Sequence, residues 1–168
     1  MTLAPVVLAF VTAQRLGELV LARRNTLRLL AQGAVEIAPG HYPLIVTLHG
    51  AWLAGLWLFA WKAAPSLPLL GVYGALQGLR LWTLAALGRS WTTRIIVRPG
   101  SALVRHGPYR LVRHPNYAVV VGEIAVLPLA FGLGWYALVF SVLNAIVLSI
   151  RVRAENTALA PLKGDSIL

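Results

Sequence analysis

Three Arg, two His, two Tyr and two Pro fall within the thirteen residues Arg105-His106-Gly107-Pro108-Tyr109-Arg110-Leu111-Val112-Arg113-His114-Pro115-Asn116-Tyr117. Guanidinium, imidazole and phenol groups at this density suit an anion or a polar cofactor. Pro108 and Pro115 remove backbone donors and stiffen the path. The residues before them, Gly107 and His114, are steered away from helical geometry. The stretch therefore predicts a rigid polar loop that enters a helix at about Asn116.

The chain has five acidic residues, so each can be weighed. Arg151 and Glu155 stand four apart, on one helical face. They suit either a plain surface ion pair or, beside the polar loop, two groups with separate duties. Glu123 falls within an apolar segment, where an ionisable group is costly and becomes a candidate for substrate binding. The alternative is pairing with Arg80 or with a loop arginine. Glu18 follows Arg15 by three residues, so the two can pair and ease the helix into lipid, or help bind substrate. Glu36 and Asp165 are expected to be solvated.

Other chemistries find little support. The chain has no cysteine, so disulfides, thiolate metal sites and Cys nucleophiles are excluded. His41, His49, His106 and His114 lack metal-ligand spacing, and no metal is expected. No Ser-His-Asp set can be argued, and no glycine-rich phosphate cradle follows a strand.

The elements that position these residues are apolar. Of 168 residues, 58% are hydrophobic and 12% charged, and the mean hydropathy is +0.74. Soluble domains are about 45–50% apolar and about 25% charged. The composition is that of a single-domain, multi-pass membrane protein. The net charge of +10 could suggest nucleic acid, but the basic stretches lie beside hydrophobic segments and suit anionic lipid better.

A membrane helix needs about 20 apolar residues. Five candidate spans appear, at about 2–24, 42–62, 66–87, 116–133 and 135–155. The predicted fold is an all-α membrane protein with a polar loop between helices 3 and 4. Met1 to Ala13 lacks a basic leader and reads as part of a retained helix, not a removed signal peptide. Gly132-Leu133-Gly134 predicts a tight hairpin between the last two spans. Residues 91–98 are β-branched enough for a short extended segment. The first loop carries Arg23, Arg24 and Arg28, and the second only Lys62. The third carries Arg89, Arg94, Arg98, Arg105, Arg110 and Arg113, the fourth nothing, and the tail Arg151, Arg153 and Lys163. Basic and neutral loops alternate, which predicts an outside N-terminus, a cytoplasmic C-terminus and a cytoplasmic polar loop.

Gly-Pro-Tyr-Arg and Arg-His-Pro-Asn-Tyr, separated by two residues, resemble the signature of the isoprenylcysteine carboxyl methyltransferase family of integral membrane enzymes. Phospholipid methyltransferases share a looser version. The resemblance covers roughly Leu87 to Leu159 and implies S-adenosylmethionine as cofactor. It makes 1–87 the membrane-anchoring helices and 88–159 the cofactor and catalytic half. Ser101-Ala102-Leu103-Val104 resembles the family's x-x-Leu-Val cofactor segment. Tyr109 matches the aromatic residue of the Gly-Pro-Tyr word. His114-Pro115-Asn116-Tyr117 matches the His-Pro-x-Tyr cofactor contact. Arg94 falls where a polar side chain reaches the cofactor. Arg151 to Leu159 resembles Arg-Ile-x-x-Glu-Glu-x-x-Leu, in which the Arg faces the substrate and the first Glu, here Glu155, faces the cofactor. The second Glu is Asn156 here, the His before x-Leu-Val is Ser101, and no Phe-Gly or Tyr-x-x-Tyr segment follows Leu159.

The first half resembles short bacterial members, some of which methylate lipid-like polyketides; a bacterial inner membrane is the implied location. The expected activity is O-methylation of a lipophilic acceptor, either an isoprenylcysteine-like carboxylate or a polyketide phenol or enol. Phospholipid N-methylation and a non-catalytic lipid-binding subunit are the alternatives. A transporter would need an internal repeat, and none is visible.

Overall fold

The structure, a computed structural model, describes residues 3–98 and 104–164, with backbone alone at His41 and from residue 158 onward. Five α-helices make up most of it: α1 (Leu3–Ala31), α2 (Tyr42–Ala60), α3 (Leu67–Leu87), α4 (Pro115–Ala130) and α5 (Gly134–Gly164). Three of them, α1, α2 and the 134–157 portion of α5, are long and apolar enough to cross a membrane; α4 is a shorter apolar helix.

Each boundary has a local cause. α1 runs seven residues past its expected end at 24, because no Gly or Pro intervenes before Gly33, which turns the chain at φ +83°. Arg23, Arg24 and Arg28 therefore ride the last turns of a helix, not a loop. Arg28 is well placed there against the negative end of the helix dipole. α3 opens after Ser66 with Pro68 in its first turn, and Gly88 ends it at φ +50°. α4 begins on Pro115, one residue before the expected start, and stops just after its internal Pro128. Gly132, at φ +74°, makes the short turn into α5.

Two contacts order the helices. Val35–Glu36 (β1) pairs antiparallel with Ile96–Val97 (β2), so the α1–α2 and α3–α4 connections meet at one end of the bundle. The extended segment expected at 91–98 is realised in β2; β1 carries too few residues to show in the sequence. At the opposite end, the Ser66 amide donates to the Ala130 carbonyl at 2.7 Å, joining the α2–α3 and α4–α5 turns.

The core runs through all five helices, with Leu8, Trp52, Leu56, Tyr73, Ile124 and Leu127 in one cluster. α3 and α4 approach closely because Gly122 leaves room for Leu76, whose methyls would lie 2.9 Å from any Cβ there. Likewise, a Cβ at Gly55 would overlap the Tyr136 ring. The outside is equally apolar: Leu58, Leu81 and Leu138 are each about two-thirds exposed. Large exposed apolar faces on every side are what lipid requires and water penalises.

Candidate active site

The polar loop folds as expected and docks on α3. Gly107–Arg110 forms one 3₁₀ turn. Gly107 has φ +60°, and a Cβ there would lie 3.0 Å from the Ala86 Cβ and 3.3 Å from Trp82 Nε1. Glycine is thus needed twice over, for conformation and for space. Pro108 is fully buried beside it. His114 then precedes α4 at φ −131° and ψ 67°, outside helical geometry, as the following proline favours.

Tyr117, one turn into α4, organises the site. Its hydroxyl donates to Glu155 Oε2 and accepts from Arg151 Nε at 2.8 Å. Arg151 Nη1 also donates to the Thr93 carbonyl at 2.8 Å. The His114 ring stacks on Tyr117 with centroids 5.1 Å apart, and its Nδ1 lies 4.0 Å from Glu155 Oε1. Arg151 and Glu155 are joined through the phenol, rather than as the plain pair their spacing allows.

Two cavities meet here. The larger, about 830 Å³, is lined by Val104, Tyr109, His114, Asn116, Tyr117 and Glu155, among others, with several arginines around them. The smaller, about 280 Å³, is lined by aliphatic residues such as Leu16, Leu53 and Val147, with the paired Arg15, Glu18 and Arg80 on its wall. Trp91, Thr92, Asn116, Tyr117 and Arg151 line both. Arg151 therefore stands where a polar chamber opens onto an apolar one.

Most of the expected site residues converge on the larger chamber. Ser101, Ala102 and Leu103 lie outside the described residues. Pro115 is buried at the start of α4 and lines neither cavity; it sets the helix start. Arg94 lines the chamber, but its Nη1 holds Glu36 at 2.7 and 3.0 Å and its guanidinium lies 4.3 Å from the Tyr42 ring centroid. Tyr109 is pushed up to about 12, first by burial and then by the Glu155 carboxylate, so its hydroxyl stays neutral.

Of the two readings of Glu123, substrate binding or pairing with Arg80, the structure displays the pairing. The Glu123 side chain is fully buried and lines neither cavity. Arg80 Nη1 and Arg15 Nη2 each donate to it at 2.6 Å, and Gln77 at 2.7 Å. Arg80 also grips Glu18 through Nε and Nη2, at 2.5 and 2.7 Å. The ion-pair alternative accounts for Glu123, because a carboxylate in lipid-depth packing persists only when its charge is met. Glu18 pairs with Arg15 at 3.4 Å, as their spacing allows, and more closely with Arg80, which the sequence did not indicate. The Thr93 carbonyl that holds Arg151 carried no sequence signal, since a main-chain acceptor can belong to any residue.

The chamber fits S-adenosylmethionine in the character of its groups. Asn116 Oδ1 is buried without a hydrogen-bond partner, an acceptor suited to an ammonium or hydroxyl donor. Glu155 offers a carboxylate and the stacked His114 and Tyr117 rings offer aromatic faces, both of which attract a cation.

Long apolar helices with exposed aliphatic faces around a polar chamber are the architecture of an integral membrane protein. A model of the isoprenylcysteine carboxyl methyltransferase (ICMT) family matches residues 69–161, and the chain belongs to that family of membrane methyltransferases. The match begins within α3, earlier than the resemblance that starts near Leu87. Among its relatives, the "uncharacterized protein YpbQ" of Bacillus subtilis is 40% identical over 157 residues, covering 90% of this chain and 94% of that protein. An uncharacterized protein of Haemophilus influenzae is 24% identical over 160 residues, covering 92% of this chain and 93% of its own. No solved structure matches the chain.

Proposed function

We propose that the protein is an S-adenosylmethionine-dependent O-methyltransferase whose acceptor is a lipophilic oxyanion, either an isoprenylcysteine-like carboxylate or the phenolate or enolate of a lipid-like polyketide. The observation that carries this reading is Arg151, at the junction of the polar and apolar cavities. When bound, S-adenosylmethionine supplies an electrophilic methyl on a sulfonium. The protein's own work is then binding and alignment.

Arg151 holds the acceptor oxygen as a charge-assisted donor. Tyr117 fixes the guanidinium by accepting from Nε, and fixes Glu155 by donating to it. Glu155 and Asn116 Oδ1 serve polar and cationic groups of the cofactor, and the aliphatic cavity takes the acceptor's tail. A carboxylate needs no base; a phenol or enol arrives as the anion that Arg151 stabilises. An amine acceptor fits less well, since a guanidinium would stand where a nitrogen gains positive charge.

The basic connections at the β1–β2 end face the cytoplasm, by the excess of arginine there. A reporter at the C-terminus should therefore be active in the cytoplasm; activity only outside overturns this orientation. Calorimetry of the detergent-solubilised protein with S-adenosylmethionine tests the site itself. His114→Ala should weaken binding by about 1–3 kcal/mol, and unchanged affinity in a folded variant removes His114 from it.

A further inference from the structure

The smaller cavity contains polar groups for which methyl transfer has no use. Asn144 of α5 is 3% exposed and lines this cavity. Its amide makes no hydrogen bond to another described residue. His49 of α2 lines the same cavity, with Nδ1 2.9 Å from the Ile45 carbonyl oxygen. A carbonyl only accepts, so Nδ1 carries a proton, and in the neutral ring that leaves Nε2 as an acceptor.

Position along the helix gives these groups a function. Asn144 precedes Arg151 by seven residues, about two turns, or roughly 10 Å along the α5 axis. Val147 and Leu148, on the same face between them, line the cavity too. Moving away from the junction, an occupant meets a guanidinium, then an aliphatic stretch, then an unpaired amide. A plain hydrocarbon tail would leave that amide unpaired in a water-poor interior, where the loss is largest. A hydroxyl would accept from the Asn144 amide, and His49 offers a second polar group on the wall of the same cavity. A charged group would find no counter-charge, because the two arginines Arg15 and Arg80 are already met by Glu18 and Glu123.

We propose that the smaller cavity reads the acceptor's tail: it selects amphiphiles carrying an uncharged hydroxyl about 10 Å from the oxygen to be methylated, with Asn144 as the specificity-determining residue. The inference rests on the reading of Arg151 as the end that holds the reactive oxyanion.

The test uses the full chain in detergent. Displacement of a fluorescent long-chain fatty acid is measured with hexadecanoic acid and with a series of monohydroxyhexadecanoic acids differing in hydroxyl position. One mid-chain isomer should bind at least about tenfold more tightly than hexadecanoic acid, as expected where a buried polar group otherwise stays unpaired. Asn144→Leu should abolish that preference while hexadecanoic acid binds at least as well as before. Asn144→Ala carries the same comparison if leucine packs poorly. Equal affinities across the series, or a preference that survives both substitutions, overturns the proposal. Methyl transfer to the same acids is scored separately. A hydroxyl preference that is unchanged by Arg151→Ala sinks the reading of Arg151 as the oxyanion holder and leaves the selectivity standing. Transfer without any hydroxyl preference sinks the selectivity and leaves the acceptor reading.

Discussion

In the middle of the bundle, Arg80 commits Nε, Nη1 and Nη2 to two carboxylates. At the cavity junction, Arg151 commits Nε to a phenol and Nη1 to a backbone carbonyl, and among the described residues Nη2 has no partner. Both guanidiniums are buried, at 4% and 9% exposure. The first belongs to a closed set: two arginines and two glutamates whose charges cancel. The second lines both cavities, where Arg80 borders only the smaller, and no carboxylate bonds to it directly. The difference separates structure from function better than burial or charge does. A guanidinium saturated by carboxylates is a structural tie, whereas one held by neutral acceptors keeps its charge for a ligand.

The largest effect should come from breaking the closed cluster. Arg80→Ala leaves Glu123 and Glu18 in the bundle without their main counter-charge, at a cost of about 3–5 kcal/mol. Thermal unfolding in detergent should show a strongly destabilised or unfolded protein. A variant as stable as the parent would mean the cluster is not a structural tie.

At the junction, stability should change little and activity much. Arg151→Ala should reduce turnover at least about tenfold, or about 1.4 kcal/mol, while cofactor affinity holds. Glu155→Ala should chiefly weaken cofactor binding. The exchange Arg151→Glu with Glu155→Arg should be inactive, because the two residues line different combinations of cavities. Normal kinetics in the exchanged protein would reduce them to an interchangeable pair and erase the contrast with Arg80.

The smallest effect belongs to a third pair, Arg94 and Glu36. Arg94 is 37% exposed, and exposed pairs contribute under about 1 kcal/mol. Glu36→Gln should barely move the melting temperature. Freed from Glu36, Arg94 could shift within the chamber, so cofactor affinity is the sharper readout. A change there would show that the Glu36 pair positions Arg94 for the cofactor.

Much of the site was legible because it is local. His114 through Tyr117, and Arg151 with Glu155, sit in short words whose spacing survives any packing of the helices. Both prolines of the loop acted where they stand, one in a 3₁₀ turn and one opening α4. Helix ends were less legible where no breaker marks them, as at α1, whose extension took three arginines out of the expected loop. The sequence offered Arg15 for Glu18 and Arg80 for Glu123, but decided neither the choice between pairing and substrate binding nor the crossed Arg80–Glu18 and Arg15–Glu123 pairs. Arg80 lies 62 and 43 residues from Glu18 and Glu123, and an ion pair between helices depends on their relative rotation.

The sequence by itself determined the apolar helices, the polar loop, its point of entry into α4, and the short words whose residues line the larger cavity. These follow from composition, proline and glycine geometry, and i,i+4 spacing, all of which act within a few residues. Tertiary structure alone decided that Tyr117 bridges Arg151 and Glu155, that a polar and an apolar cavity meet at Arg151, and that Glu123 faces Arg80 and Arg15. Each depends on distances between helices remote in the chain, and those are set by how close small residues such as Gly55 and Gly122 let the helices come.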